Sequence, residues 1–404
     1  MGDNKVSENV HPVLGQVALG YSPMIDRHRA VTAVRLTIFP ARPDVLPDAS
    51  ALLVALAEVW PPDGGRVSLN VASESLLQGL MQAELGLNLM VEVPAFMACD
   101  PVNSAAIQAL YARGNTLLMA GRPPTALPRE LLPCFAYSII DLADERRDGL
   151  PPPGGVSRTI AHVQAGVRSL AEMNQAFARS AMAVLGWPID DAVVSAPKSA
   201  GQPALQAIVE LINRVDREEP HDRLEAVLKT DPTLAFKLFR FINSPAFGLR
   251  VEITSVRHAV MILGYQRLKR WLALLLASAS NEPNLKPVIY AAVRRGLLME
   301  ELGRDGGVLE DRRGEMFICG VFSLLDRMMG QPFADLLRSI PVAESIRAAL
   351  VDGQGPHQPY LQLVQAVESA SVYDIRSASE AILMGVADVN RAVLRALAAA
   401  RQLD

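Results

Sequence analysis

Through the first half of the chain, short apolar runs alternate with segments whose apolar residues recur at helical spacing. Residues 17–21, 31–39, 66–71, 87–93, 115–120 and 137–141 have the length and pattern of strands. Between them, 49–60, 74–86 and 104–113 read as helices. This alternation predicts parallel βα units. Pro/Gly-rich stretches at 60–65 and 150–155 predict loops. At 195–203, SAPKSAGQP, the pattern changes and strand-like runs disappear. Segments 204–215, 222–229, 232–242, 255–263, 266–280, 287–302, 315–329, 333–339, 342–351 and 359–370 all have helical spacing, and 377–401 adds one or two helices. The expected architecture is therefore α/β followed by an all-α bundle.

The sharpest punctuation falls within 231–264, DPTLAFKLFRFINSPAFGLRVEITSVRHAVMILG. Asp231 suits a helix N-cap and Pro232 the first helical position. Leu234, Ala235, Leu238, Phe241 and Ile242 then share one face. Asn243, Ser244 and Pro245 end that helix, because proline disfavours helix at the residue before it, and Gly248 permits the turn. Phe247 is placed to anchor the turn in the core. Thr254 or Ser255 caps a second helix, which Gly264 closes. The short polar side chains of Asn243 and Ser244 can satisfy backbone groups where the helix stops. A competing reading makes them contacts for a small molecule.

Composition narrows the possibilities. The chain has 404 residues, half of them hydrophobic, enough for two or three domains with real cores. The formal net charge of −4 supplies no general attraction to nucleic acid, so DNA binding is not expected. Cys99, Cys134 and Cys319 are far apart and form neither a metal spacing nor an even disulfide set. Residues 1–15 are polar, lack a signal-peptide core and read as a flexible leader. The most apolar later run, 271–279, has about half the ~20 residues of a membrane span. A cytoplasmic location follows as the expectation.

The stretch DPTLAFKLFRFINSPAFG followed by ITSVRHAVMILG resembles the HDOD module, a bacterial helical signalling domain related in fold to HD-type metal phosphohydrolases but without their metal ligands. RRGLLMEELG at 294–303, FICGVFSLLDRMMGQPF at 317–333 and ESIRAALVDGQG at 344–355 continue the match in order. The order resembles the two-domain EAL–HDOD family. In the first half, YSPMIDRHRAVTAVRL, VSLNVASESLL, LMVEV and VLGWPIDDAVVSAP are similar to successive strands of the EAL domain. That domain is an α/β barrel whose active forms hydrolyse cyclic di-GMP with two divalent cations. The resemblance implies a leader at 1–15, a degenerate EAL-like barrel at 16–194, a linker at 195–203 and an HDOD domain with C-terminal helices at 204–404. About 180 residues precede the linker, against about 250 for a complete (β/α)₈ barrel, so trimmed barrel helices are expected.

The resemblance places Asn70 and Glu92 at metal-ligand positions. It also places Arg35 where the Glu of Glu-Ala-Leu stands, Ala120 and Gly121 at the Asp-Asp pair, and Leu185 at the closing Gln. No lysine lies between Lys5 and Lys198 to supply the family's active-site lysine. A cation at Arg35 repels metal. Two readings of Asn70 and Glu92 follow: residual metal or nucleotide binding, or a vestigial site. The second is favoured, with Asn70 tying down a strand end and Glu92 pairing with an arginine such as Arg35.

His221-Asp222 is a literal His-Asp pair, but a metal there would need further ligands from other helices, and the chain has six histidines. Asp222-Arg-Leu-Glu225 is better read as a capping pattern. Arg267, Lys269 and Arg270, Arg294 and Arg295, and Arg312 and Arg313 form basic clusters, read as solvated helix faces near Glu300 and Glu301. The function expected is a non-catalytic signal-transduction protein with no cofactor and no metal. It would act on other signalling proteins in a cyclic di-GMP-related, motility or biofilm pathway. A cyclic di-GMP receptor, with weak cyclic dinucleotide binding, and an active phosphodiesterase are the alternatives. The sequence does not specify partner, input signal or oligomeric state.

Overall fold

The structure, a computed structural model, describes residues 11–42, 44–62, 64–144, 160–191, 203–230, 242–243, 253, 255–278, 283–340 and 342–401. Its first half is a closed eight-stranded barrel: β1 (Val17–Asp26), β2 (Val31–Pro40), β3 (Arg66–Val71), β4 (Leu89–Pro94), β5 (Leu117–Ala120), β6 (Phe135–Asp141), β7 (Ala161–Val167) and β8 (Ala183–Gly186). The strands from β2 to β8 run parallel, and β1 lies antiparallel to both β2 and β8. Outside the barrel lie α1 (Ala49–Val59), α2 (Glu74–Gln82), the short α3 (Ala95–Ala98), α4 (Ser104–Ala112) and α5 (Leu170–Ala178). Between β5 and β6 there is only a 3₁₀ turn, Arg129–Cys134, interrupted by Pro133, so the barrel is trimmed there.

Local signals account for these helices. Asp48 accepts the Ala51 N–H at the start of α1, and Ser73 accepts the Leu76 N–H at the start of α2. Ser169 and Glu172 form a reciprocal capping box on α5. Two strands, β7 and β8, escape the pattern reading, β7 because His162 and Gln164 interrupt its apolar run. His162 and Gln164 are nevertheless buried, since a barrel wall has two covered faces.

The second half is helical: α6 (Pro203–Asp216), α7 (His221–Thr230), α8 (Val256–Ser278), α9 (Lys286–Asp305), α10 (Glu310–Phe322), α11 (Leu325–Met329), α12 (Phe333–Ser339), α13 (Glu344–Val351), α14 (Gln358–Ser369), α15 (Val372–Ala381) and α16 (Val386–Arg401). Ser255 caps α8, its Oγ accepting the His258 N–H at 3.1 Å. Gly264 breaks α8 with φ 73°, so the two helices expected on either side are joined across a kink. Most of the 195–203 linker lies outside the described residues; Pro203 already begins α6.

The two halves share one hydrophobic core. β1 turns directly into β2 through residues 27–30, so no helix follows it along the chain. Instead α14, α15 and α16 pack against it. Val17, Leu19 and Tyr21 of β1 join the same core as Leu363, Val364, Val367, Val389 and Val393. Asn390 of α16 is fully buried. Its Nδ2 donates to the Leu14 and Val17 carbonyls, each at 2.7 Å, and its Oδ1 accepts the Leu19 N–H at 3.0 Å. This corrects part of the leader expectation: Pro12–Gly15 forms a 3₁₀ turn with Val13 and Leu14 buried. Residues 1–10 lie outside the described residues.

Candidate functional site

The barrel interior is layered. Met24, Ala33, Met90, Leu118, Ile139, Val163, Ala165, Ala183 and Leu185 form a dry apolar cluster in the lumen. Strand register sets a polar layer beside it: Arg35 lies opposite Ser68, and Glu92 is two residues beyond Met90 on the same face of β4. Arg35 Nε donates to Glu92 Oε1 at 2.9 Å, and Arg35 Nη2 donates to Oε2 at 2.6 Å. Ser68 Oγ adds a bond to Oε1 at 2.8 Å. The Glu92 side chain is fully buried and that of Arg35 is 19% exposed. The pairing read from the sequence is therefore formed, and it uses the carboxylate's acceptors on the bundle of groups around it. Thr37 and Asn70 are register partners, and Asn70 Nδ2 donates to Thr37 Oγ1 at 3.3 Å. Asn70 thus ties β3 to β2 near the mouth.

The remaining positions carry no carboxylate. Ala120 ends β5 and Gly121 follows at φ 86°, its N–H bonded to the Ile139 carbonyl. Leu185 is buried in the lumen cluster. Among the described residues, no three His, Cys, Asp or Glu side chains converge as metal ligands. These residues do not fit a pair of divalent cations. Such cations need several free oxygen ligands, whereas here the buried carboxylate is occupied by a guanidinium.

Above this layer the mouth opens into a cavity of about 680 Å³. Its walls include Arg35, Asp141, Arg168, Trp187, Arg295 and Glu368, so barrel and helical half both contribute. Arg168 Nε bonds Asp190 Oδ2 at 2.6 Å. Arg295 Nε and Nη2 bond Glu368 Oε1 and Oε2 at 2.9 and 2.7 Å, and Arg295 Nη1 bonds Ser323 Oγ at 3.1 Å. Burial alone lowers the Arg295 pKa, but the charge and hydrogen bonds of Glu368 outweigh it and hold the guanidinium above its ordinary value. Burial, reinforced by Glu368, also raises the Tyr21 phenol well above its usual range. Sequence reasoning missed Asp141, Arg168, Trp187, Arg295 and Glu368 as mouth residues. Arg295 and Glu368 are 73 positions apart, and no local pattern joins them.

The arginines expected on solvated faces are a correction. Arg294 and Arg295 are 3% and 5% exposed. Arg294 lies over the Tyr290 ring. Arg270 binds Glu300 through two bonds of 2.7 and 2.6 Å and stacks over Phe317 at 4.1 Å. A planar guanidinium with a two-pronged partner tolerates such burial. Arg267, paired with Glu310, and Arg312 match the exposed expectation, while Lys269 and Arg313 are half-buried. His221 begins α7 and meets Arg257 and Asp222.

Of the helical signature, Asp231, Ser244, Pro245, Phe247 and Gly248 lie outside the described residues. Asn243 is described. Its Nδ2 donates to the Ile253 carbonyl at 2.8 Å, and its Oδ1 accepts the Ile253 N–H at 2.7 Å. It therefore satisfies backbone ten residues away, and the helix end it was expected to serve lies outside the described residues.

Comparisons with known proteins match parts of the chain. The HDOD domain family matches residues 203–331. YuxH of Bacillus subtilis, an uncharacterised protein, is 26% identical over 164 residues, covering 40% of each chain. The cyclic di-GMP phosphodiesterase CdgJ of Vibrio cholerae is 27% identical over 153 residues, 38% of this chain and 35% of that protein. The matched segments thus span about two-fifths of these relatives. A standalone EAL protein from Vibrio cholerae, solved with cyclic di-GMP, aligns at 14% identity and a TM-score of 0.31, covering 43% of this chain and 91% of that one. The fold is an eight-stranded barrel with EAL-like structural neighbours, followed by a helical region that matches HDOD. No helix among the described residues is long and apolar enough to cross a membrane.

Two stability measurements follow from this geometry. Arg35→Ala leaves Glu92 buried without its partner and should cost about 3–5 kcal/mol in urea unfolding, whereas the apolar double replacement Arg35→Met/Glu92→Leu should recover most of it. Asn243→Ala removes both bonds to Ile253 and should cost about 1–3 kcal/mol. An unchanged midpoint combined with lost partner binding would assign Asn243 to a ligand contact instead.

Proposed function

We propose that this chain is a non-catalytic signal-transduction protein of a cyclic di-GMP-related pathway, such as one controlling motility or biofilm, and that it works by binding other signalling proteins. The observation that carries this reading is the Arg35–Glu92–Ser68 cluster. Two-cation phosphodiester hydrolysis needs free carboxylates to hold metals that activate water. Here a guanidinium neutralises Glu92, the end of β5 is Ala120-Gly121, and Leu185 replaces a polar side chain. A barrel of this kind does not by itself carry activity, because chemistry resides in the site. The similarity to CdgJ supports the pathway and leaves the chemistry to the residues.

The cavity at the mouth favours a second reading, a cyclic di-GMP receptor, since its volume lies within the usual range of ligand pockets, about 300–1,000 Å³. Charge weighs against tight binding of a polyanion. Arg35, Arg168 and Arg295 each have a carboxylate partner, Glu92, Asp190 and Glu368, and Asp141 and Asp374 add further negative charge to the lining.

Purified protein with excess Mg²⁺ or Mn²⁺ should leave cyclic di-GMP intact, read by chromatography of the nucleotide. Turnover that disappears in Glu92→Ala would overturn the non-catalytic reading. Calorimetry should find no tight cyclic di-GMP site. A micromolar site abolished by Arg35→Ala would select the receptor.

A further inference from the structure

The cavity at the barrel mouth is built only in part by the barrel. Arg295 on α9 and Gln362, Gln365, Glu368 and Ser369 on α14 form its other side. We propose that α14 is a roof over the mouth, latched by the Arg295–Glu368 pair, and that opening this pair selectively loosens the roof from its seat on β1. The proposal concerns the regulation of the mouth and goes beyond the reading above. It stands whether or not the mouth hydrolyses anything.

Three observations converge on it. The pair is buried within the protein, Arg295 5% and Glu368 7% exposed, yet both residues line the cavity, so a solute in the cavity meets them. A buried ion pair is no better for stability than well-packed apolar side chains, but its bonds can be exchanged one for one. An anion would compete for Arg295 with the Glu368 carboxylate, and a cation would compete for Glu368 with the guanidinium. A charged pair at this position can therefore open in response to a ligand, where an apolar pair could not.

The end of the roof is held under strain. Ala370, the C-cap of α14, has φ 51° and ψ 39°, a left-handed conformation that residues with a Cβ adopt at a cost. Such a conformation persists where surrounding contacts enforce it. The enforcing contact is close. A Cβ added to Gly20 of β1 would lie 2.7 Å from the Ala370 Cα, so this glycine is what lets the roof seat against the strand.

Movement of the roof would also be transmitted. The Glu368 backbone carbonyl accepts from Trp187 Nε1 at 3.1 Å, and the same N–H is shared with the Tyr21 carbonyl of β1 at 3.2 Å. The Trp187 ring lies 5.5 Å from that of Tyr21 and 6.2 Å from that of Tyr290 on α9. One indole therefore touches the barrel strand, the roof and the helical bundle. Releasing the Glu368 carboxylate loosens the residue whose carbonyl Trp187 holds.

Hydrogen exchange on the full chain, read by mass spectrometry in wild type and Glu368→Gln, tests the latch. Exchange in residues 361–370 should rise at least tenfold while residues 89–94 of β4 stay protected. The double variant Arg295→Met/Glu368→Met, which fills the same space without charge, should restore protection of 361–370. Unchanged exchange in Glu368→Gln, or an equal rise in both segments, would overturn the proposal, because the pair would then be idle or a general support of the fold. If Glu368→Gln does not yield folded protein, Arg295→Lys keeps the charge and loses the two-pronged geometry. The same selective rise is expected of it, and the same two outcomes would overturn the proposal.

Discussion

The first strand of the barrel cannot be left uncovered. In a βα barrel each strand is normally followed by a helix that buries its outer side, but β1 reverses directly into β2 and has no such helix. Its residues are nevertheless almost all buried. The cover comes from the far end of the sequence, where α14, α15 and α16 pack against β1 and share its core. Asn390 supplies the polar complement, taking up three backbone groups of the 3₁₀ turn and β1 that would otherwise be buried without partners. The helices that complete the barrel lie beyond the HDOD match at 203–331. The C-terminal segment is therefore a structural link between the two halves.

The barrel interior also has to accommodate a buried charge. Glu92 sits where a free carboxylate in the lumen would need a counter-charge, and Arg35 provides it from β2, across β3, with two hydrogen bonds. Ser68 satisfies a further acceptor. A lone buried carboxylate is costly, and a two-pronged guanidinium offsets most of that cost. The same solution recurs at the junction of the halves, where Arg295 and Glu368 are paired in a setting too buried for either alone. In both places an arginine does locally what solvent or metal would otherwise have to do.

Much of this was legible in the sequence, for local reasons. The alternation of strand and helix patterns gave the strands from β1 to β6 to within a few residues, and helix breaks fell where glycine or proline stands, as at Gly264. The Arg35–Glu92 pair could be anticipated because the resemblance placed both residues at the mouth of one barrel, where β3 alone separates their strands. The burial of Arg294 and Arg295 could not, since Arg-Arg on a helix looks like a solvated face until its partner, 73 residues on in the case of Arg295, is known. Val13 and Leu14 read as part of a polar leader because their burial depends on α16. β7 was missed because its polar residues face a covered side of the barrel. Each failure has one cause: the residue's environment is set by a segment remote in sequence.

If β1 is completed by the C-terminal helices, barrel and bundle must unfold together. The direct measurement is hydrogen exchange through a urea titration of the full chain, comparing β4 peptides with α9 peptides. Coincident midpoints are predicted, as for a single cooperative unit. Two resolved midpoints, with the barrel protected after the bundle has opened, would contradict the account.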